Sequence, residues 1–98
     1  MEAIEVLEKH DRPVHEKRFQ VDEITWNEDT ERYGFAVHSM PQRVRNSFAA
    51  WLLGKTVYYE TVEFNARRLS FWIEVGSVIQ TMKFKQEAVK VLRMASEG

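Results

Sequence analysis

The chain has 98 residues, of which 44% are hydrophobic and 12% aromatic, so its length predicts one domain over residues 1–98 and its composition excludes a disordered protein. It contains no cysteine, which excludes disulfides and thiolate chemistry and favours a reducing, cytoplasmic location. The net charge is −1, but residues 1–31 carry ten acids against four bases and residues 32–98 carry ten bases against five acids. This asymmetry fits either an electrostatic partner or two oppositely charged segments that are neighbours in the fold.

The N-terminal residues MEAIEVLEKH predict neither a targeting signal nor a membrane anchor. They are acidic and lack the apolar run of a signal peptide, and no stretch approaches the roughly 18 to 20 apolar residues that a membrane span needs. Residues 2–9 predict a short helix that ends before Pro13, although the alternation of Ile4 and Val6 also fits a strand. We therefore expect no membrane partner.

Residues 14–38 predict a first antiparallel hairpin. In the extended segment 14–26 the apolar positions change face once, which indicates a β-bulge near Asp22–Glu23. The polar run NEDTER predicts a turn, and YGFAVHS resumes a pattern typical of a strand. Strands over 18–26 and 32–38 are thus expected to pair.

Residues 40–53 predict an amphipathic helix. Ser39 precedes Gln42 by three residues, which is the spacing of a capping box, and Pro41 suits a first turn. Apolar residues then recur at helical spacing up to Gly54, which is placed for a C-terminal cap.

Residues 56–64 and 68–75 predict a second hairpin with NAR as its turn, and both strands are rich in β-branched and aromatic residues. Alternation places Trp72 and Glu74 on the face opposite to Phe71 and Ile73. Residues 78–84 predict a further strand and 85–96 a helix, with one longer helix over 78–95 as the alternative. The expected fold class is α+β, a single domain with a four- to five-stranded antiparallel sheet and two or three helices packed on one face.

No pattern predicts an enzyme, a metal or a cofactor. His10, His15 and His38 lack the spacing of a metal site, and a zinc site that gathers all three is the weaker alternative. The carboxylates of the NEDTER turn are expected to be solvated, and only Asp22–Glu23 has a structural reason to be aimed at a specific place. The glycines are dispersed and form no phosphate loop.

The leading hypothesis is an intracellular, non-enzymatic binding or regulatory protein, most simply a homodimer. Its aromatic sheet face would form the interface, because aromatic residues and arginine are enriched at the centres of interfaces. The expected interface residues are Tyr59, Trp72, Arg67 and Arg68, with Glu74 at the rim.

The alternative is a nucleic-acid-binding regulator, in which aromatic rings stack on bases and basic side chains contact phosphates. The residues expected to contact phosphates are Arg43, Arg45, Arg67, Arg68, Lys83 and Lys85. A third interpretation is a small-ligand pocket between sheet and helix, lined by Met40, Met82 and Met94, although methionines at such positions more often fill a core.

Overall fold

The chain forms an open antiparallel sheet with helices packed on one face. The structure is a computed structural model and describes residues 3–55 and 61–97. Within these residues the elements are, in chain order, α1 (Ala3–His10), β1 (Val14–Glu16), β2 (Phe19–Val21), β3 (Thr25–Asn27), β4 (Arg32–His38), α2 (Gln42–Lys55), β5 (Thr61–Asn65), β6 (Ser70–Gly76) and α3 (Val78–Glu97). The strand order is β1-β2-β4-β6-β5, and β3 also pairs with β4. The predicted α+β class is confirmed, with six strands where four to five were expected.

Strands β2 and β3 lie end to end along one side of β4, and the segment between them has one residue more than the part of β4 that it faces. Val21 lies opposite Val37, whereas Thr25 lies opposite Gly34, so four steps along this side match three steps along β4. The irregularity predicted near Asp22–Glu23 is therefore present. It divides the single predicted strand over 18–26 into two short strands.

The core lies between the sheet and the helices. Phe35 and Ile73, on the two central strands, are fully buried, and Phe48 of α2 and Phe84 of α3 close over them. Burying a large apolar side chain contributes about 1.5–3 kcal/mol to stability. The other buried residues of this cluster are Phe19, Val21, Ile24, Val37, Met40, Val44, Leu52, Phe71, Val75, Ala88, Val89 and Leu92.

Helix α2 begins at Gln42 rather than at residue 40, so the predicted capping box is wrong. Ser39 adopts a positive φ of 62°, which differs from the extended conformation of an N-cap residue. Its hydroxyl lies 3.0 Å from Nδ1 of His38. Pro41 supplies the first helical hydrogen bond, since its carbonyl accepts from the backbone N–H of Arg45 at 3.0 Å.

Residues 78–84 are helical, so the predicted strand is wrong and the alternative of one long helix is correct. Helix α3 begins after Ser77, whose hydroxyl accepts a bond from the backbone N–H of Gln80 at 3.3 Å and reaches the Gln80 side chain at 3.2 Å. The Thr81 hydroxyl donates to the carbonyl of Ser77 at 2.5 Å, so this β-branched residue is accommodated within the helix. Val78, Thr81 and Phe84 face the core, at the spacing of one helix face.

The second hairpin is present as β5 and β6, joined by a turn over residues 66–69. The side-chain oxygen of Asn65 accepts from the backbone N–H groups of Arg67 and Arg68 at 3.0 and 3.1 Å, which stabilises the turn. Leu69, predicted within the strand, lies in this turn with a φ of 52°. Tyr59 lies outside the described residues.

Candidate functional site

One face of the sheet carries no helix among the described elements, and we call it the open face. Residues that pair across strands point to the same side of a sheet. Trp72 lies opposite Ala36 on β4 and opposite Glu63 on β5, and all three belong to the open face. Phe35 and Ile73, one position along, belong to the helix-covered face.

Trp72 lies across the centre of the open face and is half-buried. A Cβ added at Gly34 would lie 2.8 Å from Cζ2 of this indole and 2.5 Å from the carbonyl oxygen of Ile73, so only glycine accommodates the ring at this point. Its Nε1–H donates to Oε2 of Glu74 at 3.0 Å. A glycine inside a strand often marks such a close approach. Gly34 within YGFAV is therefore the sequence signal for the contact between Trp72 and β4.

Glu74 is buried beneath this indole, which corrects its predicted position at an interface rim. It is 1% exposed, and its Oε2 accepts from Asn27 Nδ2 at 3.0 Å and from the Thr30 hydroxyl at 3.1 Å, in addition to the Trp72 bond. Its Oε1 is buried and has no hydrogen-bond partner among the described residues. Alternation correctly assigned Glu74 to the open face, but the turn after β3 covers it.

A groove of about 540 Å³ runs beside Trp72 over the β5–β6 hairpin. It brings together Trp72 and Arg68, two of the predicted interface residues. Arg67 lies in the same turn and is exposed. We call this surface the Trp72 groove, and its lining consists of Glu63, Phe64, Asn65, Arg68, Ser70 and Trp72.

All four of the predicted phosphate-binding arginines lie at one end of the sheet. Val37 near the end of β4 lies opposite Phe71 near the start of β6, so the first turn of α2 and the 66–69 turn emerge at the same end. The β1–β2 turn also lies there. We call this region the basic end. Its three connecting segments, 17–18, 39–45 and 66–69, contain no acidic residue and six basic ones, namely Lys17, Arg18, Arg43, Arg45, Arg67 and Arg68.

The two lysines predicted to contact phosphates do not join the basic end. Lys83 is exposed on α3, whereas Lys85 is 6% exposed and corrects the prediction of a solvent-facing charge. Lys85 Nζ donates to Oδ1 of Asp11 at 2.5 Å and to the carbonyl of Arg12 at 3.1 Å. The positive charge of Lys85 is therefore paired with Asp11 inside the fold.

Comparison of the chain with known protein families, curated proteins and solved structures yields no match. Across residues 3–55 and 61–97, no three His, Asp or Glu side chains are arranged to hold a metal ion. None of the described helices has the length and apolar character needed to cross a bilayer.

Asp22, at the bulge beside the open face, is hydrogen-bonded to His38. The Asp22 Oδ1 lies 2.9 Å from His38 Nε2 and accepts from Gln20 Nε2 at 3.1 Å. Partial burial acts to raise the pKa of Asp22, but these hydrogen bonds and the nearby His38 and His15 charges outweigh it and lower the pKa below its ordinary value. The carboxylate is thus more acidic in the folded chain than in the unfolded chain.

We expect Asp22→Asn to lower the free energy of unfolding at about pH 5 by up to about 1 kcal/mol, because this pair is only partly shielded from solvent. A lowered folded-state pKa stabilises the fold above the ordinary value, about 3.9, and this contribution disappears as the pH falls through the folded-state value. Urea unfolding at about pH 5 and about pH 3 checks this. A difference between variant and wild type that grows toward low pH would contradict it.

Proposed function

We propose that this chain is an intracellular, non-catalytic binding protein that associates with another protein, most simply a second copy of itself, through the Trp72 groove. The observation that carries the proposal is a half-exposed tryptophan beside an exposed arginine, on a sheet face that none of the described helices covers. Tryptophan and arginine are the residue types that most often dominate the energy of protein interfaces. A symmetric dimer is the simplest assembly, because two-fold homodimers are the commonest oligomers.

The orientation of Trp72 supports this use. Its indole is held from one side by the bond to Glu74 Oε2 and by the close approach to Gly34. A ring fixed before binding loses little side-chain entropy when a partner covers it, and this favours affinity. The neighbouring Glu63, which lies opposite Trp72 on β5 and is exposed, places a carboxylate beside the ring on the same face.

The groove chemistry supports binding rather than catalysis. Its carboxylate, Glu63, and its guanidinium, Arg68, are both exposed to solvent. Acid–base catalysis draws on groups whose environments separate their pKa values. Exposed charges of opposite sign at the edge of an aromatic surface instead resemble the polar rim of an interface.

A second candidate function is binding of single-stranded nucleic acid, and the basic end specifically favours it. Arg68 belongs both to the basic end and to the Trp72 groove, so phosphate contacts would adjoin an aromatic surface suited to base stacking. The N-terminus of α2 lies at the same end and adds a partial positive charge. Because the overall charge is −1, such an attraction would come from the basic end and not from the net charge of the chain.

One experiment distinguishes the two functions. We expect size-exclusion chromatography with light scattering to give twice the 11.6 kDa mass of the chain, with little change between about 50 and 200 mM salt. Arg68→Ala should weaken dimerisation about tenfold, as expected for a hot-spot residue. Lys83→Ala is the matched control, because Lys83 is an exposed basic residue on α3 outside the groove, and it should leave the mass unchanged.

Binding of a labelled oligothymidylate strand is the second measurement of this experiment. If the protein remains monomeric and binds this strand with an affinity that falls steeply as salt rises, the second candidate replaces the first. A protein that is monomeric at every concentration and does not bind the oligonucleotide would contradict both candidate functions.

A further inference from the structure

A second cleft, separate from the Trp72 groove, lies between the N-terminal segment and α3. It has a volume of about 420 Å³ and is lined by residues of the 10–14 segment, by Ile24 and by one side of α3 between Met82 and Arg93. This volume falls within the range of small-molecule sites, roughly 300–1,000 Å³. No predicted interface residue lines it, and among the predicted phosphate contacts only the buried Lys85 does.

The wall of this cleft is apolar. Ile24 and Val89 are 7% and 8% exposed, and Met82 and Val14 are half-buried against the core. Four apolar side chains, from β1, α3 and the segment between β2 and β3, thus meet along one surface. Met82 is one of the methionines that the sequence indicated for a ligand pocket, whereas Met40 lies in the core and Met94 is 73% exposed.

Asp11, the single carboxylate among the described residues that line the cleft, is already engaged on both oxygens. Its Oδ1 accepts from Lys85 Nζ at 2.5 Å, and its Oδ2 accepts from the backbone N–H of Ile24 at 2.6 Å. The side chains of Asp11 and Lys85 are 6% and 8% exposed. The negative charge of the cleft is therefore neutralised by a buried lysine before any ligand enters.

The remaining charged groups at the mouth are basic. Arg12 and Lys90 are exposed, and the Arg12 guanidinium is held by bonds from Nη1 to the carbonyls of Glu8 and Asp11 at 2.9 and 2.8 Å. Arg93 is also basic, although it is bonded to Glu16 at 2.8 Å. An apolar wall beneath a positively charged mouth complements a ligand with an apolar body and one anionic end.

We infer that this cleft binds a small amphipathic carboxylate, of the class of free medium-chain fatty acids. The acyl chain would lie along Ile24, Met82 and Val89, and the carboxylate would pair with Arg12 and Lys90. Burial of successive methylene groups should raise the affinity by up to about fourfold each. This inference is independent of the proposed function, because the two surfaces share no lining residue.

The test is an NMR titration of the ¹⁵N-labelled chain with hexanoate and octanoate. We expect saturable amide shifts centred on Val14, Ile24 and Val89, and tighter binding of octanoate. Lys90→Glu should weaken octanoate binding about tenfold, the usual size of one charge-assisted contact. Lys83→Glu is the matched control, since it makes the same charge change at an exposed site on the same helix, outside the cleft.

Two ligands of altered chemistry complete the test. Octylammonium has the same apolar body with the opposite charge and should bind at least about tenfold more weakly than octanoate. Acetate has the charge without the chain and should cause no saturable shift in the cleft. Equal binding of octanoate and octylammonium, equal binding of octanoate and acetate, or a Lys90→Glu variant that binds octanoate like wild type would overturn the inference.

Discussion

Replacing Glu74 with alanine is expected to lower the free energy of unfolding by about 3–5 kcal/mol, because three partly buried hydrogen bonds lose their common acceptor at once. Asn27, Thr30 and Trp72 all donate to Oε2 of this one carboxyl group. Each unsatisfied buried donor costs about 1–3 kcal/mol, less where water enters. The indole would also lose the contact that fixes its orientation on the open face.

Urea unfolding followed by tryptophan fluorescence measures this loss. Glu63→Ala is the matched control, because Glu63 lies opposite Trp72 on β5 and is exposed, and it should change stability by no more than about 0.5 kcal/mol. Glu74→Gln retains the side-chain volume and one acceptor oxygen, so it should lower the free energy of unfolding by less than Glu74→Ala does. If Glu74→Ala matched Glu63→Ala in stability, the hydrogen bonds to Glu74 would be contributing little.

Replacing Asp11 with alanine is expected to cost a similar amount, about 3–5 kcal/mol, for a different reason. Lys85 would remain buried without its counter-charge, and the backbone N–H of Ile24 would lose its acceptor. Lys85→Met should also destabilise the fold, because it leaves Asp11 buried without its lysine. Combining Asp11→Ala with Lys85→Met removes both charges, so the double variant should be more stable than the two separate losses imply.

A double-mutant cycle on this pair checks the expectation. Thermal or urea unfolding of wild type, both single variants and the double variant yields the coupling energy directly. The exposed pair between Lys55 and Glu87, at 3.6 Å, is the control and should show a coupling of about 0–1 kcal/mol. Strictly additive losses for Asp11 and Lys85 would contradict the assigned role of the buried pair.

The sequence predicted the elements whose apolar pattern repeats over many consecutive residues. Helix α2 and the β5–β6 hairpin follow from apolar residues at helical spacing and from alternating β-formers. The strand alternation also separated Phe71 and Ile73 from Trp72 and Glu74 correctly. It could not show that the turn after β3 covers Glu74, because that contact joins residues more than forty positions apart.

Two errors came from competing local signals. Ser39–Gln42 and Ser77–Gln80 have the same capping spacing, but only Ser77 has its hydroxyl bonded to the residue three positions on. The β-branched residues Val78 and Thr81 favour a strand locally, yet their burial on one helix face outweighs that preference. Lys85 was assigned to solvent because its partner Asp11 is 74 positions away in the chain.

The separation of charge along the sheet has a further consequence. The basic end carries six cationic side chains, whereas the β3–β4 turn at the opposite end carries the acidic residues Glu28, Asp29 and Glu31. These two sets of connecting residues thus separate positive from negative charge along the direction of the strands, although the net charge of the chain is only −1. Near an anionic surface this separation of charge favours orientations of the molecule in which the basic end faces the surface before contact is made.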